Sequence, residues 1–192
     1  MKTEKIGLYL GAFDPFHNGH LSVVEKSLEY VNQIIIQPHV DHADFLHGSP
    51  LEHRLEMAIL ATSHLNEINV RREERNVYEL RKDGKFRYQL IKWVEEENDG
   101  EVWVIIGADK LSNPMYKKPS ELLNIPHIVF SRGIADIDIL RFSEAIKVEN
   151  GENLSATNIR KAMYRGRKTA DYLPKSVIDY IMNNELYKPC SV

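Results

Sequence analysis

His17 and His20 stand three residues apart, with Asn18 and Gly19 between them. Imidazoles at this spacing share a face in the first turn of a helix. Each neutral ring has one N–H to donate and one nitrogen to accept, so a pair can serve an oxygen-rich anion. A helix start adds unpaired backbone N–H groups and the positive end of a dipole. Together these make the chemistry of a phosphate site. Gly11 and Gly19 are expected to let a polyphosphate approach the main chain. Read alone, the four-residue pattern also fits a helix cap or a surface pair.

The surrounding residues supply the elements such a site needs. The stretch 6–20 reads IGLYLGAFDPFHNGH. Its apolar start predicts a buried strand, Gly11 breaks it, and Asp14-Pro15 marks a turn. Leu21, Val24, Leu28 and Val31 then give a helical stripe. A β-branched run at 34–36 ends at Pro38, so the opening predicts a βαβ unit with parallel strands. The histidines fall at the carboxyl end of the first strand, where open α/β sheets bind ligands. Further strands are predicted at 68–70, 101–107, 127–130 and 145–148. The run 101–107, EVWVIIG, has the near-continuous apolarity of a strand covered on both faces. A helix is predicted to start with Ser49 as N-cap, Pro50 at the first helical position and Glu52 closing a capping box. Leu51, Leu55, Ala58 and Ile59 form its expected buried stripe, leaving His53 and Arg54 off it; Arg54 could reach into the site, but a surface position is the expectation. Tyr88, Leu90, Ile91 and Val94 predict another helix, and 121–123 a short one. A helix capped by Ser155 or Thr157 is expected to stop at Gly166. The last starts at Leu173-Pro174, with Val177, Ile178, Ile181 and Met182 as its apolar face.

Other residues could join the chemistry. Asp109 follows Gly107 at the end of an apolar strand and can accept from a ribose, orient a metal-bound phosphate, or cap a helix. Arg160 lies in the first turns of a capped helix, where a guanidinium and free N–H groups make an anion site. The segment 39–49 carries His39, Asp41, His42, Asp44 and His47. These are metal-ligand types, but nothing fixes their convergence, and a polar loop closing over substrate is the expectation. Arg71, Arg72 and Arg75, mixed with Glu73 and Glu74, read as a solvated charged turn.

Composition bounds the rest. The chain has 192 residues, 28% charged and 43% hydrophobic, with a net charge of −3. One sizeable core is expected, and the charge argues against a general nucleic-acid coat. No apolar run reaches membrane-span length, and MKTEK leads into a strand, so no signal peptide is expected. Cys190 is the sole cysteine, which excludes an internal disulfide and fits a reducing cytoplasm.

Two motifs far apart in the chain carry a resemblance. Gly11-Ala12-Phe13-Asp14-Pro15-Phe16-His17-Asn18-Gly19-His20 resembles the signature of the HxGH-motif nucleotidyltransferases, and Ser155-Ala156-Thr157-Asn158-Ile159-Arg160 resembles their second signature. His53-Arg54-Leu55-Glu56-Met57, Ile106-Gly107-Ala108-Asp109 and the ending from Tyr172-Leu173-Pro174 to Leu186-Tyr187 are similar to bacterial nicotinate-nucleotide adenylyltransferases. The resemblance implies a Rossmann-like doubly wound parallel sheet, three-layer α/β/α, as one domain over 1–192 with a helical C-terminal part. It implies Mg²⁺-dependent transfer of AMP from ATP to a pyridine mononucleotide, releasing pyrophosphate, in NAD biosynthesis. His17, His20 and Arg160 would be catalytic, with Arg160 holding the outgoing pyrophosphate. Gly11, Ala12, Phe13, Gly19, Gly107, Asp109, Ser131, Arg132, Ser155, Thr157, Asn158 and Ile159 would hold ATP. His39, Arg87, Tyr88, Gln89 and Tyr116 would face the acceptor, and no protein metal site is implied. Small nucleotides are the expected partners, with no nucleic acid or membrane, and a homodimer is the family-based expectation. Ala12 and Phe16 depart from the family's usual hydroxyl residue and proline. Adenylyl- or cytidylyltransferases with other phosphomonoester acceptors, and a non-catalytic nucleotide sensor, remain alternatives.

Overall fold

Period-two burial decides which side of each strand meets which helices. Ile34, Ile36, Trp103 and Ile105 enter one apolar cluster, while Ile35, Val102, Val104 and Ile106 enter another. Such strands are covered on both faces, as their near-continuous apolar sequences predicted. The computed structural model describes residues 4–40, 48–72, 86–112, 121–131, 141–151 and 154–188, with 86 and 87 described by backbone alone. Its strands are β1 (Glu4–Gly11), β2 (Gln33–Pro38), β3 (Ile68–Val70), β4 (Gly100–Gly107), β5 (His127–Ser131) and β6 (Ala145–Glu149). They form one six-stranded sheet, ordered β3-β2-β1-β4-β5-β6, and every pairing is parallel.

The helices are α1 (Asn18–Ser27), α2 (Leu51–Thr62), α3 (Phe86–Asn98), α4 (Ala156–Tyr164) and α5 (Lys175–Asn183), with 3-10 turns at Ala108–Ser112, Glu121–Asn124 and Ala170–Tyr172. Val23 and Val24 of α1, Met57 and Ala58 of α2, and Val177 and Ile181 of α5 pack on one sheet face. Leu90, Ile91 and Val94 of α3, with Leu122, pack on the other. This is the expected three-layer, doubly wound arrangement. The chain winds outward from β1 to β3, then returns to lay β4 against the other side of β1. The switch point therefore lies between β1 and β4, and a crevice opens at their carboxyl ends.

Several local expectations need correction. Ser49 does not cap α2: Pro50 holds that position without a side-chain bond, and the Ser49 hydroxyl donates to Asp14 instead. Glu52 closes no capping box and pairs with Arg72. Arg54 is a buried residue of α2, 2% exposed, while Ile59 is 43% exposed. The buried side of α2 is Arg54, Met57, Ala58, Ala61 and Thr62, one position offset from the apolar stripe, because a polar partner awaits Arg54. Met182 is likewise outside the core, at 71% exposure. Gly166 does end α4 region as expected, in a left-handed turn with φ 64°.

Candidate active site

A cavity of about 340 Å³ occupies the switch-point crevice. Tyr9, Leu10 and Gly11 reach it from β1, Val104 to Gly107 from β4, and Phe130 from β5. The amino ends of two helices meet there: His17 and His20 at α1, and Ser155, Ala156 and Thr157 at α4. Two positive dipole ends with open first-turn N–H groups favour an anion between them. The apolar strand ends supply a surface for a flat ring.

The histidine pair forms a reciprocal cap. The His20 backbone N–H donates to His17 Nδ1 at 3.3 Å, and the His17 N–H donates to His20 Nδ1 at 3.2 Å. Both Nδ1 atoms are thus acceptors, so each neutral ring carries its proton on Nε2. The rings stack at 3.6 Å between centroids and 14° between planes. Phe13 and Phe16 close around His20, with centroids at 5.1 and 5.2 Å. The cap reading of the motif is observed, and capping through Nδ1 leaves Nε2 as the donor of each neutral ring.

Three glycines make room for these side chains. A Cβ at Gly19 would sit 3.1 Å from the His17 ring, one at Gly11 2.8 Å from the Phe13 ring, and one at Gly107 2.5 Å from Asp109 Oδ1. Gly11 and Gly19, expected to admit a polyphosphate, have a more local task here. They admit the rings that shape the site. Asp109 lies on the cavity wall beside Lys110, whose Nζ is 3.1 Å from its carboxylate.

Behind the wall, the turn that carries the histidines is tied to distant segments. Asp14 is fully buried and accepts from the Ser49 N–H at 3.2 Å, from the Ser49 hydroxyl at 2.7 Å and from the Tyr187 phenol. Arg160 Nη1 donates to the Asp14 carbonyl at 2.6 Å and lies 3.7 Å from its carboxylate. Arg54 donates from Nη1 to the Ala12 carbonyl at 2.9 Å and from Nε to the Ser49 carbonyl at 3.1 Å. Desolvation lowers the Arg54 pKa, against the pull of Asp14. Burial, then the Asp14 carboxylate, raises the Tyr187 phenol far above the usual tyrosine range, so it remains a donor.

A cytidylyltransferase-like family model matches residues 8–162. The chain belongs to the cytidylyltransferase-like family. Among its relatives is a Roseiflexus castenholzii protein named "Probable nicotinate-nucleotide adenylyltransferase", 27% identical, with 98% of this chain and 100% of the relative covered. A Clostridium botulinum protein of the same name is 28% identical over 93% of this chain and 96% of its own length. The Plasmodium falciparum nicotinic acid mononucleotide adenylyltransferase complexed with NaAD shares the fold, with a TM-score of 0.73, 20% identity and coverage of 96% and 97%.

In this cytidylyltransferase-like chain, the cavity brings together His17, His20, Gly11, Ala12, Phe13, His39, Gly107, Asp109, Ser155 and Thr157 from among the expected residues. His39 is held there by its N–H, which extends the β1–β2 ladder to the Gly11 carbonyl at 2.8 Å. Gly19 lies beneath the His17 ring. Ser131, Asn158 and Ile159 are described but are absent from the wall, as are Tyr88 and Gln89 on α3. Arg160 is buried and also absent from the wall; its contacts include the carbonyl and carboxylate of Asp14. Arg132, Tyr116 and the Arg87 side chain lie outside the described residues, as does the segment 41–47. Sequence reasoning missed Lys110 on the wall, and the apolar strand ends Tyr9 and Phe130. It also missed Tyr187, whose partner is 173 positions away. For Lys110 a usable signal existed, its position directly after Asp109.

Proposed function

We propose that this chain transfers AMP from ATP to nicotinate mononucleotide, giving the dinucleotide and pyrophosphate in NAD biosynthesis. The observation that carries it is the meeting of two helix amino ends on one cavity, with two Nε2–H imidazoles at the first. The names of the relatives support the acceptor. An oxygen of the mononucleotide phosphate, already deprotonated, attacks the α-phosphorus of ATP. The bond from that phosphorus to the bridging oxygen breaks, and the electron pair leaves with pyrophosphate. No base or covalent intermediate is needed, so catalysis is positioning and charge stabilisation. His17 and His20 donate to the triphosphate where charge grows. The N–H groups at Ser155 to Thr157 hold the departing pyrophosphate, and Asp109 accepts from a ribose hydroxyl. Arg160 acts by holding Asp14.

Mg²⁺ enters here as part of the ATP substrate. Among the described residues no group of three or more His, Cys, Asp or Glu side chains could hold a metal ion. An ion carried by phosphate oxygens and water is how Mg²⁺ prefers to bind. Among the described residues no helix is long and apolar enough to cross a membrane. The reading places the chain, as one nucleotidyltransferase domain over 1–192, in the cytoplasm, with small nucleotides as its partners and a homodimer as its assembly.

The acid acceptor is read ahead of the amide form, because Lys110 and His39 on the wall are donors suited to a carboxylate. The preference is expected to stay below the ~10⁴-fold reached when buried polar groups match one substrate alone. Pyrophosphate release with ATP or CTP, against the acid and amide mononucleotides and other phosphomonoesters, tests this. Turnover with ATP and the acid form supports it. Turnover with CTP alone, or with another phosphomonoester alone, overturns it.

A further inference from the structure

Asp14 is fully buried and absent from the cavity wall, yet Ser49, Arg160 and Tyr187 all converge on it. A buried carboxylate is costly unless such hydrogen-bond partners meet it. Two residues, Pro15 and Phe16, separate it from His17. On its other side Phe13 has a φ of 52°, a conformation that persists in a bulky residue when its surroundings over-determine it. The segment from Ala12 to His17 is therefore short, sterically constrained and anchored at the residue in its middle. The helix cap that fixes both imidazole tautomers begins where this segment ends.

We propose that Tyr187 is a positioning residue of the active site, its phenol fixing Asp14 and, through the turn, the orientation of the His17 imidazole. The effect on turnover rests on the adenylyl-transfer reading; the effect on the imidazole does not. The Tyr187 ring is part of the apolar core on the α1 side of the sheet, so packing alone would need the ring. The hydroxyl does a separate task. It donates to Asp14 and lies 3.0 Å from the Ser49 hydroxyl, which donates to the same carboxylate.

Tyr187→Phe in the full chain keeps the ring and removes that hydroxyl. It is to be compared with wild type by thermal unfolding, by steady-state kinetics, and by the ¹⁵N resonances of the His17 and His20 rings, all well below the variant's Tm. The expected result is a kcat lowered about tenfold to a hundredfold, a KM for ATP within about threefold of wild type, and shifted His17 nitrogen resonances. Wild-type kcat together with wild-type His17 resonances would overturn the proposal and leave Tyr187 a packing residue. If wild type itself transfers no adenylyl group, the functional reading fails, and the His17 resonances of the variant still decide the positioning claim. Should Tyr187→Phe not fold, 4-fluorophenylalanine placed at position 187 keeps the ring and nearly the volume of the hydroxyl without its donor, and is read by the same two measurements with the same overturning outcome.

Discussion

Gly19 sits between two opposing demands. In a helix, alanine is favoured over glycine by roughly 0.5–1 kcal/mol, but a Cβ here would press on the His17 ring at 3.1 Å, next to the nitrogen that caps α1. Gly19→Ala is therefore expected to lower kcat by about tenfold or more while Tm stays near wild type, because displacement of the ring acts on positioning. Thermal unfolding alongside kinetics separates the two effects. His20→Ala removes both a cap partner and a donor. Its stability loss should be about 1 kcal/mol, that of a helix cap, and its kcat loss about 10²–10³-fold, that of a donor aimed at growing charge. Near-normal kcat would take His20 out of the chemistry. The histidines were legible in the sequence because their spacing is local. Arg54 was not: its buried position follows from carbonyls at Ala12 and Ser49 that only the folded chain brings to it. Ser49 misled for the same reason, since a hydroxyl before a proline-led helix looks like a cap until Asp14 claims it.

At the level of elements, apolar runs predicted all six strands; the central ones stand out because strands buried on both faces leave little room for polar residues, while the edge strands β3 and β6 are only partly buried. The helices were predicted in place but less well in orientation, and α5 shows how. Val177 and Ile181 face the core with α2, whereas neighbouring Met182, equally apolar, faces solvent. Ile181→Ala is expected to cost about 2–5 kcal/mol, as for other buried Ile truncations. Met182→Ala should stay within about 0.5 kcal/mol, as exposed sites do. Urea unfolding of the two variants checks this; similar losses would place Met182 in an interface. Ser176 and Tyr180 of α5 add polar ties to α2, the first to the Leu60 carbonyl at 3.1 Å and the second to His53 Nδ1 at 2.8 Å. No periodicity announces such pairs.

For the whole molecule, the order β3-β2-β1-β4-β5-β6 puts the crevice where β1 and β4 part, and the doubly wound expectation located it correctly. What holds the crevice in shape is long-range. The Tyr187 phenol, raised by burial and by Asp14, loses its proton more readily in the unfolded chain than in the folded one. The stability it contributes is full below about pH 10, the ordinary tyrosine value. Above that it declines, because the unfolded state alone releases the proton, by up to ~1.4 kcal/mol per pH unit. Wild type should thus lose more stability than Tyr187→Phe between about pH 9 and about pH 11, measured by urea unfolding. Equal losses would mean that the phenol is not held in its neutral form. The same contact has a consequence for synthesis. The ribosome makes Asp14 early, yet its partners at 49, 160 and 187 arrive one after another, the phenol last. A nascent chain in which all six strands have been synthesised still lacks a donor to the carboxylate beneath its histidines. Completion of the site is timed by the emergence of residue 187, so any cleavage that removes that residue returns the molecule to its unfinished state.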